Sequence, residues 1–215
     1  MVFWTFFHQA ASLFLRAFTW PYILWHILAA LLTLLLVMSG FDWWFYLETR
    51  SPMYYSLTIA AGIGGFFVPV LVPLLMLVYG NVQRSPTTVK RALILAQAVI
   101  VSWLISSTYK AFTGRVEPEF LTFTSSLDNS RDFNFGFWEY GIFWGWPSSH
   151  TAVACALAAA LFVLYKHSAM TRAAAVFYAF FIALGAGIGF HWFSDVLAGV
   201  IVGTLVGFLA ARQKL

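Results

Sequence analysis

Two histidines carry the clearest chemical potential in this sequence. His191 stands four residues before Asp195 in His191-Trp192-Phe193-Ser194-Asp195, and His150 closes the stretch Trp146-Pro147-Ser148-Ser149-His150. On a shared helix face, Asp195 can accept a hydrogen bond from one imidazole nitrogen and leave the other free, aiming His191 as a nucleophile or base. Serine hydroxyls and free backbone N–H groups at a helix start form an anion site reinforced by the helix dipole. Ser148 and Ser149 can therefore hold a phosphate beside His150, which can protonate a leaving oxygen. A third segment, Lys110-Ala111-Phe112-Thr113-Gly114-Arg115, sets an ammonium and a guanidinium around a glycine, a combination suited to phosphoryl oxygens. Taken singly, each segment also has an ordinary reading: a salt-bridged pair, a serine cap with an interfacial histidine, a snorkelling lysine.

The elements that must position these residues are membrane spans. Of 215 residues, 61% are hydrophobic and only 9% charged, too little polar surface to coat a soluble globule. The fold class expected is an all-α membrane protein, a bundle of six transmembrane helices preceded by an interfacial amphipathic helix. That first helix occupies residues 1–20, with Phe3, Phe7, Ala10, Phe14 and Phe18 on its apolar face and His8 and Arg16 on its polar one; it does not resemble a cleavable signal. The rest, residues 21–215, forms one domain with spans near 21–38, 53–79, 92–109, 148–165, 173–190 and 194–211, joined by an external loop over 110–147. Residues 41–46 read as an aromatic belt leading into a polar connection, and His26 as a histidine hydrogen-bonded to a neighbouring helix. Gly199, Gly203 and Gly207 recur every four residues, and Gly185 and Gly189 repeat that spacing, so the last two spans are expected to pack closely.

Charge orients the bundle. Arg16, Arg84, Lys90, Arg91, Lys166, Arg172, Arg212 and Lys214 fall on one side with no acid, while all eight acids fall on the other with Arg50, Lys110, Arg115 and Arg131. The basic side is expected to be cytoplasmic, with both termini there and both histidines opening to the external face, the periplasm of an inner membrane. The basic residues stand singly or in short groups between apolar spans, so the net charge of +4 speaks for topology and not for nucleic acid. The single cysteine, Cys155, lies in an apolar run and excludes both an intrachain disulfide and a thiolate metal cluster.

In order and combination, the three segments resemble the type 2 phosphatidic acid phosphatase superfamily over roughly residues 54–211. The resemblance implies His191 as the nucleophile that forms a phosphohistidine, Asp195 as its orienting carboxylate, His150 as the general acid, and Lys110 and Ser148 as phosphate ligands. It implies a six-helix bundle with no cofactor and no metal requirement. The chain departs from the family pattern at three places. Glu117 stands before Pro118 where the first motif has arginine, Ser149 replaces the glycine of Pro-Ser-Gly-His, and Leu184-Gly185 replace the Ser-Arg of the third motif.

Two arginines are thus replaced, and Arg115 with Arg131, the latter reaching in from the external loop, are expected to take their place. The loop also carries Phe120, Phe123, Phe133, Phe135, Phe137, Trp138, Tyr140, Phe143, Trp144 and Trp146, rings suited to the headgroup level, where Phe135 and Trp138 are expected to influence lipid choice. The function expected is a metal-independent lipid phosphatase acting on a phospholipid or isoprenoid phosphate or diphosphate. Two alternatives share the bundle: a lipid phosphotransferase using the same covalent step, and a non-catalytic lipid-binding or transport protein.

Overall fold

A computed structural model describes residues 2–119 and 127–213, with side chains from residue 4 onward. Among these residues the chain forms α1 (Val2–Ala17), α2 (Ile23–Met38), α3 (Phe41–Thr49), a 3₁₀ turn at Pro52–Tyr54, α4 (Tyr55–Val82), α5 (Pro86–Thr113), α6 (Ser149–Leu164), α7 (Ala169–Gly189) and α8 (Phe193–Ala211). The protein is an all-α membrane protein. Apolar side chains such as Leu31, Phe66 and Phe177 stand on its outer surface, where lipid tails and not water are the natural solvent. Phe120, Phe123 and Lys214 lie outside the described residues, as does the side chain of Phe3.

Local chemistry explains the helix starts. Ser85, Ser148 and Ser168 each accept a hydrogen bond from the amide three residues on, at Thr88, Thr151 and Thr171, satisfying a donor that has no partner inside the helix. The residues of α4, α5, α7 and α8 are long and apolar enough to cross a membrane, and α2 with α3 makes a fifth candidate if that pair, bent by 72°, is one span. The sixth expected span is α6, whose 16 residues reach only about 24 Å, less than the roughly 30 Å of a hydrocarbon core. Its setting accounts for its short, alanine-rich sequence: ten consecutive residues, 151–160, are buried, so α6 is the central helix and meets protein on every side.

The aromatic stretch 41–46 is helical, the start of α3, which turns off α2 at Gly40 in the left-handed region (φ 76°) and carries Asp42 into the interior. His26 is hydrogen-bonded between helices, as its place in an apolar span suggests. Its Nε2 donates to the Ala17 carbonyl at 3.1 Å, and its Nδ1 accepts from the Tyr109 hydroxyl at 2.8 Å. The inward face of α1 is Ala10, Leu13 and Ala17, with Phe14 and Phe18 packed beside them against the core, while Phe7 is exposed.

The glycine stripe of α8 does not face α7, as the sequence suggested, but α6. A Cβ at Gly199, Gly203 or Gly207 would meet the carbonyl oxygens of Ser148, Ala152 or Ala156 at 2.7, 2.1 and 2.3 Å. Gly185 of α7 faces α4, where a Cβ would lie 2.2 Å from that of Ala61. Periodicity identified the small-residue faces; the choice of neighbour depends on how the whole bundle closes. Gly203→Ala is expected to lower stability in detergent by about 1–3 kcal/mol through overpacking. Gly187→Ala, whose added methyl would find only ordinary contact at 3.5 Å, is the matched control and should leave the thermal midpoint unchanged or raised.

Candidate active site

A cavity of about 550 Å³ lies between α4 and α5 and ends at the two histidines. Its polar end is formed by Lys110, Glu117, Ser149, His150 and His191; Phe66, Val70, Ile100, Trp103 and Val153 give it apolar walls. The imidazole centroids of His150 and His191 are 6.5 Å apart. His150, in the first turn of α6, stacks on Phe190 at 6.0 Å and lies against Gly65, where a Cβ would come within 3.1 Å of its ring. The glycine in α4 thus makes room for the histidine.

His191 is not on the helix with Asp195. It occupies the connector between α7 and α8, where its amide donates to the Ala186 carbonyl at 3.0 Å and folds the chain back toward α6. The approach to Asp195 survives this change, with Nδ1 3.8 Å from Oδ2, but a second carboxylate is closer: Glu117 Oε1 lies 3.3 Å from the same nitrogen. That Glu117 oxygen also accepts from the Gly145 amide at 3.2 Å and stands 3.7 Å from Lys110 Nζ. Lys110 is buried and donates to the Phe143 carbonyl at 3.0 Å. Ser149 lines the cavity with its hydroxyl 3.0 Å from that of Ser106. Ser148 sits one step back, its hydroxyl capping α6 and its amide donating to the Asp195 carbonyl at 3.0 Å.

Arg115 holds the rear of the site. Beyond Gly114, whose left-handed conformation (φ 45°) ends α5, the chain runs extended and makes an antiparallel bridge between Arg115 and Phe133. This sends the guanidinium inward. It pairs with Asp195 Oδ1 and with Asp42 Oδ2 at 2.7 Å, and donates to the Ser130 carbonyl at 2.6 Å and the Ser194 hydroxyl at 2.8 Å. Phe133 lies under it at 4.8 Å. Asp42 completes the cluster by accepting from the Ser194 amide at 2.9 Å and from its hydroxyl at 2.5 Å. Both aspartates are fully buried. The guanidinium that sequence reasoning assigned to a phosphate is therefore directed at two carboxylates, behind His191 and not beside the cavity.

The structure brings together His150, His191, Lys110 and Ser149 at the cavity, with Asp195, Ser148 and Arg115 directly behind. It does not bring Arg131 there. The backbone at Ser130 is pinned by Arg115 and by Asp128, whose carboxylate accepts from the Ser130 amide and hydroxyl, and the next side chain, Arg131, is left exposed. Arg131 therefore does not stand where the missing arginines would. The position of the third-motif arginine, Gly185, is closed by contact of α7 with α4, so no cation of any length fits there without separating those helices. Of the loop aromatics, Phe143 and Trp144 line the cavity, while Phe135 and Trp138 do not. Sequence reasoning missed Asp42, Ser194 and Ser106 as parts of the site. An acid inside an aromatic run at the edge of an apolar span was the signal that pointed to Asp42. Among the described residues, no three His, Cys, Asp or Glu side chains are grouped to hold a metal ion.

No curated protein matches the sequence. A solved structure described as the first transmembrane PAP2 type phosphatidylglycerolphosphate phosphatase from Bacillus subtilis is similar in fold, with a TM-score of 0.58 and 17% identity. The similarity covers 89% of this chain and 94% of that one. The family described as the PAP2 superfamily matches residues 91–215, more than half of the sequence. That stretch holds every polar side chain of the cavity and both Arg115 and Asp195, while Asp42 lies before it: the chain belongs to the PAP2 superfamily.

Proposed function

We propose that the protein is a membrane lipid phosphatase that cleaves a lipid phosphate or diphosphate through a phosphohistidine at His191. One observation carries this reading. The paired histidines, Lys110 and Ser149 form the polar end of a cavity whose walls between α4 and α5 are apolar, so a phosphate can reach the imidazoles while its tail stays among apolar side chains. A phospholipid or isoprenoid tail suits those walls equally. Membership of the PAP2 superfamily supports the phosphatase chemistry.

In the proposed reaction Lys110 and the start of α6 hold the phosphoryl oxygens. With a carboxylate at Nδ1, the Nε2 lone pair of His191 attacks phosphorus; the P–O bond to the lipid breaks, and protonated His150 gives its proton to the departing oxygen. Water then attacks the phosphohistidine, His150 takes back a proton, and the N–P bond breaks to release inorganic phosphate. Arg115 acts from behind by fixing Asp195. The acid-free basic end of the bundle, where Arg91 lies over Tyr165 and Arg172 over Phe162, supports a cytoplasmic placement of that end and an outward-facing site in the inner membrane. In that orientation α1 belongs to the cytoplasmic interface, as the first of two units, residues 1–20 and 21–215.

Glu117 and the closed position at Gly185 favour one alternative, lipid binding without turnover. It requires that neither the wild-type protein nor His191→Ala release phosphate while both bind lipid phosphate alike. A phosphotransferase is separated from a hydrolase by the requirement for an acceptor lipid before phosphate leaves its donor.

Phosphate release from a panel of lipid phosphates in detergent should fall by on the order of 10⁴-fold in His191→Ala, to the level of the blank. Full activity in that variant overturns the mechanism. Arg115→Ala and Arg131→Ala should behave oppositely. The first leaves two buried aspartates without their cation and should cost about 3–5 kcal/mol in thermal or chemical unfolding, with activity lost alongside. The second should keep stability within about 0.5 kcal/mol and phosphate release near wild type.

A further inference from the structure

We propose that Glu117 makes the site selective for a singly charged phosphoryl group, with one proton held between a phosphoryl oxygen and the Glu117 carboxylate. This rests on the lipid phosphatase reading and adds to it the charge state of the headgroup accepted. Glu117 lines the same cavity end as both histidines and stands 3.7 Å from Lys110 Nζ, so a phosphoryl oxygen held by Lys110 there comes to lie beside its carboxylate. The carboxylate is held there from two directions, by the Gly145 amide at 3.2 Å and beside the Lys110 ammonium at 3.7 Å. The one lysine at the cavity is thereby already matched by an anion.

The charges farther back do not relieve this. Facing Glu117 are Lys110 from α5, His191 from the α7–α8 connector and His150 from α6; behind them Asp195 of α8 and Asp42 of α3 share the single guanidinium of Arg115. Two cations thus stand against three carboxylates. Residues 120–126 add no ionisable side chain, and Arg131 is exposed outside the group. With His150 protonated for its role as acid, the cluster is neutral, and a phosphoryl dianion would leave two uncompensated negative charges at a largely apolar cavity. A monoanion leaves one, and its P–OH group supplies the hydrogen bond that a carboxylate can accept and a dianion cannot give. A guanidinium at position 117, the family pattern, would favour the dianion for the converse reason.

Binding of dodecylphosphonate and of its α,α-difluoro analogue to the purified full-length chain in detergent micelles, measured by calorimetry across a pH series, tests this without any need for turnover. Fluorine lowers the second ionisation of the ligand and leaves the protein's groups alone. Wild-type affinity should fall about tenfold per pH unit above each ligand's own second pKa, and the break should come at lower pH for the difluoro compound. A break common to both ligands belongs to the protein and not to the ligand, and absence of the ligand-dependent break overturns the proposal. Glu117→Gln should raise affinity for the dianion about tenfold relative to the monoanion, and Glu117→Arg should reverse the preference. The same preference in both variants as in the wild-type protein also overturns it. The two-ligand comparison in the wild-type chain stands even if a variant does not fold. If neither phosphonate binds at any pH, the lipid phosphate reading fails and this one with it; binding without the ligand-dependent break sinks only the role of Glu117.

Discussion

The structure depends on a guanidinium buried between two carboxylates. Arg115 reaches Asp42 from α3 and Asp195 from α8, and at the same time a backbone carbonyl of the α5–α6 connection at Ser130. Three parts of the chain that are far apart in sequence are thereby tied at a single charged group. Burying such ions costs desolvation, which is offset only when geometry is good and most lone pairs and protons are used. Here Asp42 also takes the Ser194 amide and hydroxyl at the first turn of α8, where a negative charge suits the helix dipole. The cluster is a fixed base against which the connector carrying His191 can be positioned.

From this base the cavity follows. Asp195 is held by Arg115 and tied through its own carbonyl to the Ser148 amide, so the start of α6, with Ser149 and His150, is referred to the same cluster as His191. The two imidazoles come from different elements yet share one support. The apolar part of the cavity is built mainly from α4 and α5, which approach each other closely where Gly80 meets Val89, with Val153 of α6 beside them. The polar end draws on α5, α6 and the α7–α8 connector, and the apolar walls on α4 with the next turns of α5 and α6.

Much of this was legible in the sequence, and the parts that were not share a reason. The all-helical membrane class, the serine cap of α6 and the approach of His150, His191 and Lys110 follow from hydropathy, a cap residue and the order of the segments along the chain. The role of Arg115 was not legible, because its partner Asp42 lies 73 residues away inside an aromatic run that composition assigns to the membrane surface. The outward turn of Arg131 goes with the Asp128 turn and with the Ser130 carbonyl, which is held by Arg115, fifteen residues away. The glycine spacing of α8 revealed a face made for close contact, but a face does not name its neighbour. Against the family pattern, position 117 is a lost arginine; the geometry gives its carboxylate contacts of its own at the cavity.

The seam between α6 and α8 has a mechanical meaning. Where three successive turns of one helix rest on the carbonyl oxygens of another, the two backbones can neither roll nor slide past each other without collision. His150 and the aspartate behind His191 thus ride on a single stiff block. The opposite wall is different in kind: α4 carries Pro69 and Pro73 in mid-helix and loses ladder hydrogen bonds at both. For a lipid substrate as proposed above, a tail at the cavity would meet the proline-bearing α4 on one side and, on the other, the α6–α8 block that carries His150 and Asp195.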